Sequence, residues 1–167
     1  MPDFWVVDAS PIITLAKAGY LHLLDQLASL LVPEAVALEV AEGPASDPAR
    51  KALESGWGVR AVPRDIPRSV LEWGLGAGES AVLALSLEDG GRAAVLDDAA
   101  ARSCARTLGV PFLGTLAVVL RAKQAGLISS ASEVAAALVQ AGLRLDDETL
   151  RKALDQGAGE PWPPRQP

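Results

Sequence analysis

Short unbroken apolar runs, separated by stretches of helical periodicity, set the pattern of this chain. Phe4-Trp5-Val6-Val7 joins aromatic and β-branched side chains in one run, which predicts a buried strand. Ser10-Pro11 opens a helical pattern with Ile12, Leu15 and Ala16 on one side. Gly19 interrupts it, and Leu21, Leu23, Leu24 and Leu27 resume the period in a second helical segment. Leu30-Leu31-Val32 predicts a second strand, and Pro33 suits the first position of the helix that follows. That helix spans 34–41 and stops at Gly43-Pro44.

Residues 44–56 read as a short helix with a polar face, and 59–62 as a short strand. The glycine-rich stretch 74–78 leads into an apolar helix over 79–87, and Asp89-Gly90-Gly91 marks a turn. A buried strand over 93–96 precedes Asp97-Asp98 and a helix to about residue 108. A last strand falls in 109–113, then helices over 115–125 and near 132–141 and 146–155. The length suits one domain, over 1–156, and the proline and glycine of 157–167 predict a disordered tail. Continuous apolar strands alternating with helices predict an α/β fold with a parallel sheet covered on both faces. Ligands of such sheets bind outside the carboxyl ends of the strands.

Composition narrows the chemistry. Hydrophobic residues make up 50% of the chain, enough for a core without covalent staples. Cys104 is the single cysteine, which excludes a disulfide framework and a thiolate zinc cluster and fits a reducing cytoplasm. Phe4-Trp5-Val6-Val7 is too short for a signal peptide, and the longest apolar runs are too short to span a bilayer. His22 is the single histidine and sits in a leucine-rich helical segment, so triads have few possible constructions. The net charge of −6, from 15 basic and 21 acidic residues, counts against a polyanion binder unless cations neutralise a shared acidic site.

The strand ends supply that possibility. Asp8 closes the first strand, and Asp97-Asp98 follows the strand over 93–96. Glu79 starts a helix after the glycine-rich loop, and Glu39 flanks the apolar stripe of its own helix. Two like charges 4 Å apart repel by about 4 kcal/mol at an effective dielectric of 20. Converging carboxylates therefore need protons or cations, and an all-oxygen set suits Mg²⁺ or Mn²⁺ rather than zinc or copper. Such ions hold a scissile phosphate and activate water.

Each acid also has a plain structural role open to it. Asp8 or Ser10 can cap the helix near Pro11, and Asp98 can cap the helix starting at Ala99. Glu79 gains from the macrodipole in a first helical turn, and Glu39 can be a solvated residue like Glu34 and Glu42. Gly74-Leu75-Gly76-Ala77-Gly78 has neither the lysine nor the hydroxyl residue of a P-loop, and its spacing is not a dinucleotide fingerprint.

Five segments come in a telling order: Val7-Asp8-Ala9-Ser10-Pro11-Ile12-Ile13-Thr14-Leu15-Ala16, Pro33-Glu34-Ala35-Val36-Ala37-Leu38-Glu39-Val40, Gly76-Ala77-Gly78-Glu79-Ser80-Ala81, Val95-Leu96-Asp97-Asp98-Ala99-Ala100-Ala101-Arg102 and Gly109-Val110-Pro111-Phe112-Leu113-Gly114-Thr115-Leu116. Together they resemble a PIN domain of the VapC-like toxin superfamily, in its uncharacterised PIN-like branch, over about 4–150. The resemblance implies a three-layer α/β/α sandwich around a parallel sheet, with a Mg²⁺ or Mn²⁺ pocket at its carboxyl edge. It implies a ribonuclease acting on single-stranded RNA, often the toxin paired with a small antitoxin protein and often a homodimer.

Family roles map onto Asp8, Glu39, Glu79 and one or both of Asp97 and Asp98, with Asp8, Glu79, Asp97 and Asp98 as metal ligands. In many such domains the last acid follows a threonine two residues back; Leu96 stands there, and both Asp97 and Asp98 stay candidates. Ser10 and Thr115 match polar positions near the pocket, and Lys17, Arg102, Arg106, Arg121 and Lys123 are the basic residues expected near the RNA groove. Two other readings use the same surface: a partner-binding module that has lost catalysis, and a metal-dependent phosphatase or small-nucleotide hydrolase.

Overall fold

A computed structural model describes residues 4–167. Its elements run β1 (Phe4–Val7), α1 (Ala9–Ala18), α2 (His22–Leu27), β2 (Ser29–Pro33), α3 (Glu34–Ala41), α4 (Pro48–Glu54) and β3 (Val59–Ala61). They continue with α5 (Arg68–Leu71), α6 (Ala77–Glu88), β4 (Arg92–Val95), α7 (Ala99–Thr107), β5 (Phe112–Leu113), α8 (Thr115–Gln124), α9 (Ala131–Gln140) and α10 (Asp147–Ala158). The strands form one five-stranded parallel sheet in the order β3-β2-β1-β4-β5, flanked by helices in an α/β/α sandwich.

That order reverses beside β1. The chain moves outward through β2 and β3, then returns to place β4 and β5 on the other side. The crevice outside the carboxyl ends of β1 and β4 is the switch point where open parallel sheets bind ligands. The register pairs Val7 with Val95, and the Asp8 amide donates to the Val95 carbonyl at 3.2 Å. The residues that follow these two strands therefore emerge side by side.

Burial fixes that register. Val6, Val7, Ala94 and Val95 are fully buried on both faces of the sheet, with Trp5 beside them, so a one-residue slip of β1 would draw the charged Asp8 into this apolar ladder. Leu15, Leu24, Leu83, Val118 and Leu138 cover the sheet from the helices.

Several boundaries move. Pro33 closes β2 and precedes α3 with an extended ψ of 141°, so it is the last strand residue and not the first helical one. α6 begins at Ala77, ahead of the expected 79, because Gly76 precedes it and Glu79 reaches back to the Gly76 amide at 3.3 Å. The short α5 carries no helical period of its own in the sequence. In 157–167, Gly157 and Ala158 complete α10, where a Cβ on Gly157 would lie 2.7 Å from Leu120 Cδ1. Glu160 then accepts from Ser130 Oγ at 2.7 Å and the Ala131 amide at 2.8 Å, and Trp162 Nε1 donates to Asp147 at 3.0 Å.

Candidate functional site

Asp8 sits where β1 ends and α1 begins, so its backbone completes the ladder while its side chain leaves the sheet edge. It occupies the N-cap position of α1 without a side-chain capping bond. Its exposure is 4%, and Oδ1 is buried with no hydrogen-bond partner. Burial pushes the Asp8 carboxyl up to about 7; the Ala9 amide partly offsets this, and the charges of Glu79, Glu39 and Asp97 add to it. An orphaned buried carboxylate oxygen is costly in a folded protein unless something comes to it.

Asp97 and Asp98 divide the tasks beyond β4. The Asp97 carboxylate accepts from the Thr115 amide at 2.8 Å and the Thr115 hydroxyl at 2.6 Å. Thr115 is fully buried at the start of α8, so this pair ties the end of β4 to the end of β5. Asp98 caps α7, accepting from the Ala101 amide at 2.9 Å, as its capping reading predicts. Capping and cleft-facing do not exclude each other, since Asp98 also lines the cleft.

Glu79 is half-buried in the first turn of α6. Burial raises its carboxyl pKa, as does the charge of Asp98, with that of Glu39 contributing less and the Gly76 amide opposing. Glu39 is exposed, and its Oε1 accepts from the Gly78 amide at 2.9 Å. Gly78 permits this approach: a Cβ there would come within 2.9 Å of Glu39 Cδ. Glu39 thus holds the first turn of α6, and with it Glu79, without lining the cleft itself.

The cleft has a volume of about 570 Å³ and gathers Asp8, Ser10, Glu79, Asp97 and Asp98 at one end. The N-terminal ends of α1, α6, α7 and α8 all meet there, through Asp8, Glu79, Asp98 and Gly114, and their dipoles favour the negative charge. Thr115 stands behind Asp97, outside the lining.

Of the basic residues expected at the groove, Arg102 lines the cleft. Its guanidinium lies 5.3 Å from the Phe112 ring centroid, and a Cβ on Gly114 would sit 3.1 Å from both Arg102 Nη1 and Asp97 Oδ1. The other four do not line it. Arg106 shares the Phe112 ring at 5.3 Å, and Arg121 lies 5.8 Å from the Trp5 ring. Lys123 donates to the Ser129 carbonyl and pairs with Glu160 at 3.6 Å, and Lys17 is exposed in the last turn of α1. Arg144, between α9 and α10, lines the cleft and carries no sequence signal beyond its charge.

Among the described residues, no three acidic, histidine or cysteine side chains converge closely enough to share one ion directly. The donors nevertheless suit a hard divalent cation. Mg²⁺ and Mn²⁺ take oxygen ligands, and Mg²⁺ keeps several waters while bound by one or two carboxylates. The orphaned Oδ1 of Asp8, with Glu79, Asp97 and Asp98 around the same cleft, matches that mode.

Comparison with known families agrees with the architecture: the family model DUF3368, a PIN domain, matches residues 4–159. No curated protein matches the chain.

Proposed function

The chain belongs to the PIN-domain family, a nuclease-type fold, and from that premise we propose that it is a metal-dependent ribonuclease cutting single-stranded RNA. The observation that carries the reading is the buried Asp8 carboxylate, its Oδ1 orphaned at the switch point, inside a cleft lined by three further acids. Glu79, Asp97 and Asp98 would hold Mg²⁺ or Mn²⁺ with Asp8, some of them through water. The chemistry such an ion supplies when bound is charge neutralisation on the phosphate and activation of the attacking water.

The chain's own residues supply the rest. Thr115 fixes the Asp97 carboxylate, the capping bond fixes Asp98, and Glu39 sets the helix turn that presents Glu79. Arg102 brings a positive charge to the wall beside Asp97. A role as the toxin of a toxin–antitoxin pair, as a homodimer regulated by a small protein, is the biological setting we propose.

The test is cleavage of a labelled single-stranded RNA oligomer with Mn²⁺, beside a duplex of the same sequence and a model phosphomonoester. The reading expects chelator-sensitive cuts in the single strand and little turnover of the other two. Efficient phosphomonoester hydrolysis with intact RNA would favour a phosphatase instead.

A further inference from the structure

The cleft does not end at the acids. Beyond Asp97 and Asp98 it continues along Leu116 and Leu120 of α8 and along Leu143 and Leu145 of the turn into α10, with Arg144 between the last two. Leu120 and Leu145 are half-buried, Leu116 and Leu143 show only an edge, and Arg144 is exposed. A metal centre requires none of these residues.

We propose that this wall is a nucleobase subsite: an unpaired base neighbouring the scissile phosphate packs on Leu116, Leu120, Leu143 and Leu145, with Arg144 held to the base. The inference rests on the nuclease reading and names what the protein grips.

Charge is the first argument. A chain of net charge −6, with four carboxylates in its cleft, gains little from phosphate attraction. Arg102 and Arg144 are the cations among the lining residues, and the Arg102 guanidinium is committed to the Phe112 face. Affinity beyond the one phosphate that a bound cation would hold must then come from burying apolar surface, which gains roughly tenfold for each ~55 Å² covered, whatever the base.

Shape is the second. The cleft, about 570 Å³, is of small-ligand size and admits a splayed nucleotide but not a stacked helix. Bases in a duplex have both faces covered, so an apolar wall selects unpaired ones. The leucines and the acids line one and the same cleft, and Arg144 lines it between Leu143 and Leu145. With a cation bound among the acids, a ligand that spans both parts of the cleft needs a phosphate and an apolar plane together, which RNA carries and an apolar peptide segment does not.

The test uses the full chain with Asp8→Asn, so that binding is read without turnover, and single-stranded RNA oligomers carrying one abasic ribose at successive positions. Anisotropy titrations in Mn²⁺ should show one position, next to the cut made by the wild-type protein, where base removal weakens binding tenfold or more. Adding Leu145→Asp or, separately, Arg144→Ala should erase that discrimination, and Arg144→Ala guards against a folding defect in the leucine variant. The dependence of binding on salt should be shallow. Equal binding at every abasic position overturns the inference and assigns the wall to another occupant, a protein segment included. Because wild-type cleavage is scored separately, that result leaves the nuclease reading standing, whereas base-selective binding with no cleavage sinks the nuclease reading alone.

Discussion

Thr115 spends both of its donors on Asp97: its amide at 2.8 Å and its hydroxyl at 2.6 Å reach the two oxygens of one carboxylate. The pairing joins the second residue past β4 to the first residue of α8, and so fixes the spacing of two strand ends at the site. It also separates two adjacent aspartates by role. Asp97 is clamped from the start of α8, while Asp98 caps α7.

Thr115→Val keeps the shape and the amide bond but removes the hydroxyl. A half-buried acceptor losing one charge-assisted bond costs about 1–2 kcal/mol. Thermal denaturation should show a lowered Tm, and RNA cleavage should fall about tenfold in kcat with KM nearly unchanged. An unchanged kcat would mean that the clamp is purely structural.

The Asp8 carboxyl, raised from 3.8 to about 7, makes stability depend on pH. The fold favours the protonated acid, so the cost of ionising it begins above pH 3.8 and is complete above about 7. At its upper bound the shift corresponds to roughly 4 kcal/mol. The metal-free protein should therefore melt lower at pH 8 than at pH 5. Asp8→Asn should flatten that difference and raise the Tm at pH 8 while abolishing cleavage, and Mn²⁺ should stabilise the wild type more than the variant. A wild-type Tm that rises steadily from pH 5 to pH 8 without metal contradicts this.

Glu39 acts through Gly78. Glu39→Gln keeps an acceptor for the Gly78 amide, whereas Glu39→Ala removes it, and Gly78→Ala drives a Cβ against the Glu39 carboxylate. If Glu39 positions α6, the glutamine variant should keep most of its cleavage and its Mn²⁺ affinity by calorimetry. The two alanine variants should lose both by similar factors. Loss of Mn²⁺ binding in Glu39→Gln would instead make its charge the essential property.

Glu160 fastens the chain end to the start of α9 through Ser130, Ala131 and Ser132. Burial raises its carboxyl, but these donors outweigh it and bring it down to about 2. Its contribution is therefore present above about pH 4.5 and is lost as pH falls toward 2. Glu160→Ala should lower stability by about 1–2 kcal/mol and speed amide exchange at 130–133 and in the chain beyond α10. Exchange there that matches the wild type would show that the contact carries no weight.

The sheet was legible because β1 and the inner parts of β2 and β4 are unbroken apolar runs, and Asp8 and Asp97-Asp98 follow two of them. What periodicity cannot show is which strands are neighbours; the reversal beside β1 is a tertiary fact. The Thr115 clamp joins residues 18 apart and the Glu39–Gly78 bond residues 39 apart, so neither leaves a local pattern. The groove cations were guessed from charge alone. Arg106 and Arg121 lie over aromatic rings and Lys123 pairs with Glu160, while Arg144 reaches the cleft from a turn with no motif. Gly157 carries a composition signal for disorder, yet without a side chain it lets α10 close on Leu120.

The account turns on Asp8 as the centre of a cation-dependent cutting site. Its most direct measurement is the cleavage rate of one single-stranded RNA oligomer at saturating Mn²⁺, compared between the wild-type protein and Asp8→Asn, both shown to be folded by their melting transitions. The account predicts that the variant, at least as stable as the wild type at pH 8, cuts at least a hundredfold more slowly. Equal rates in the two proteins would contradict it.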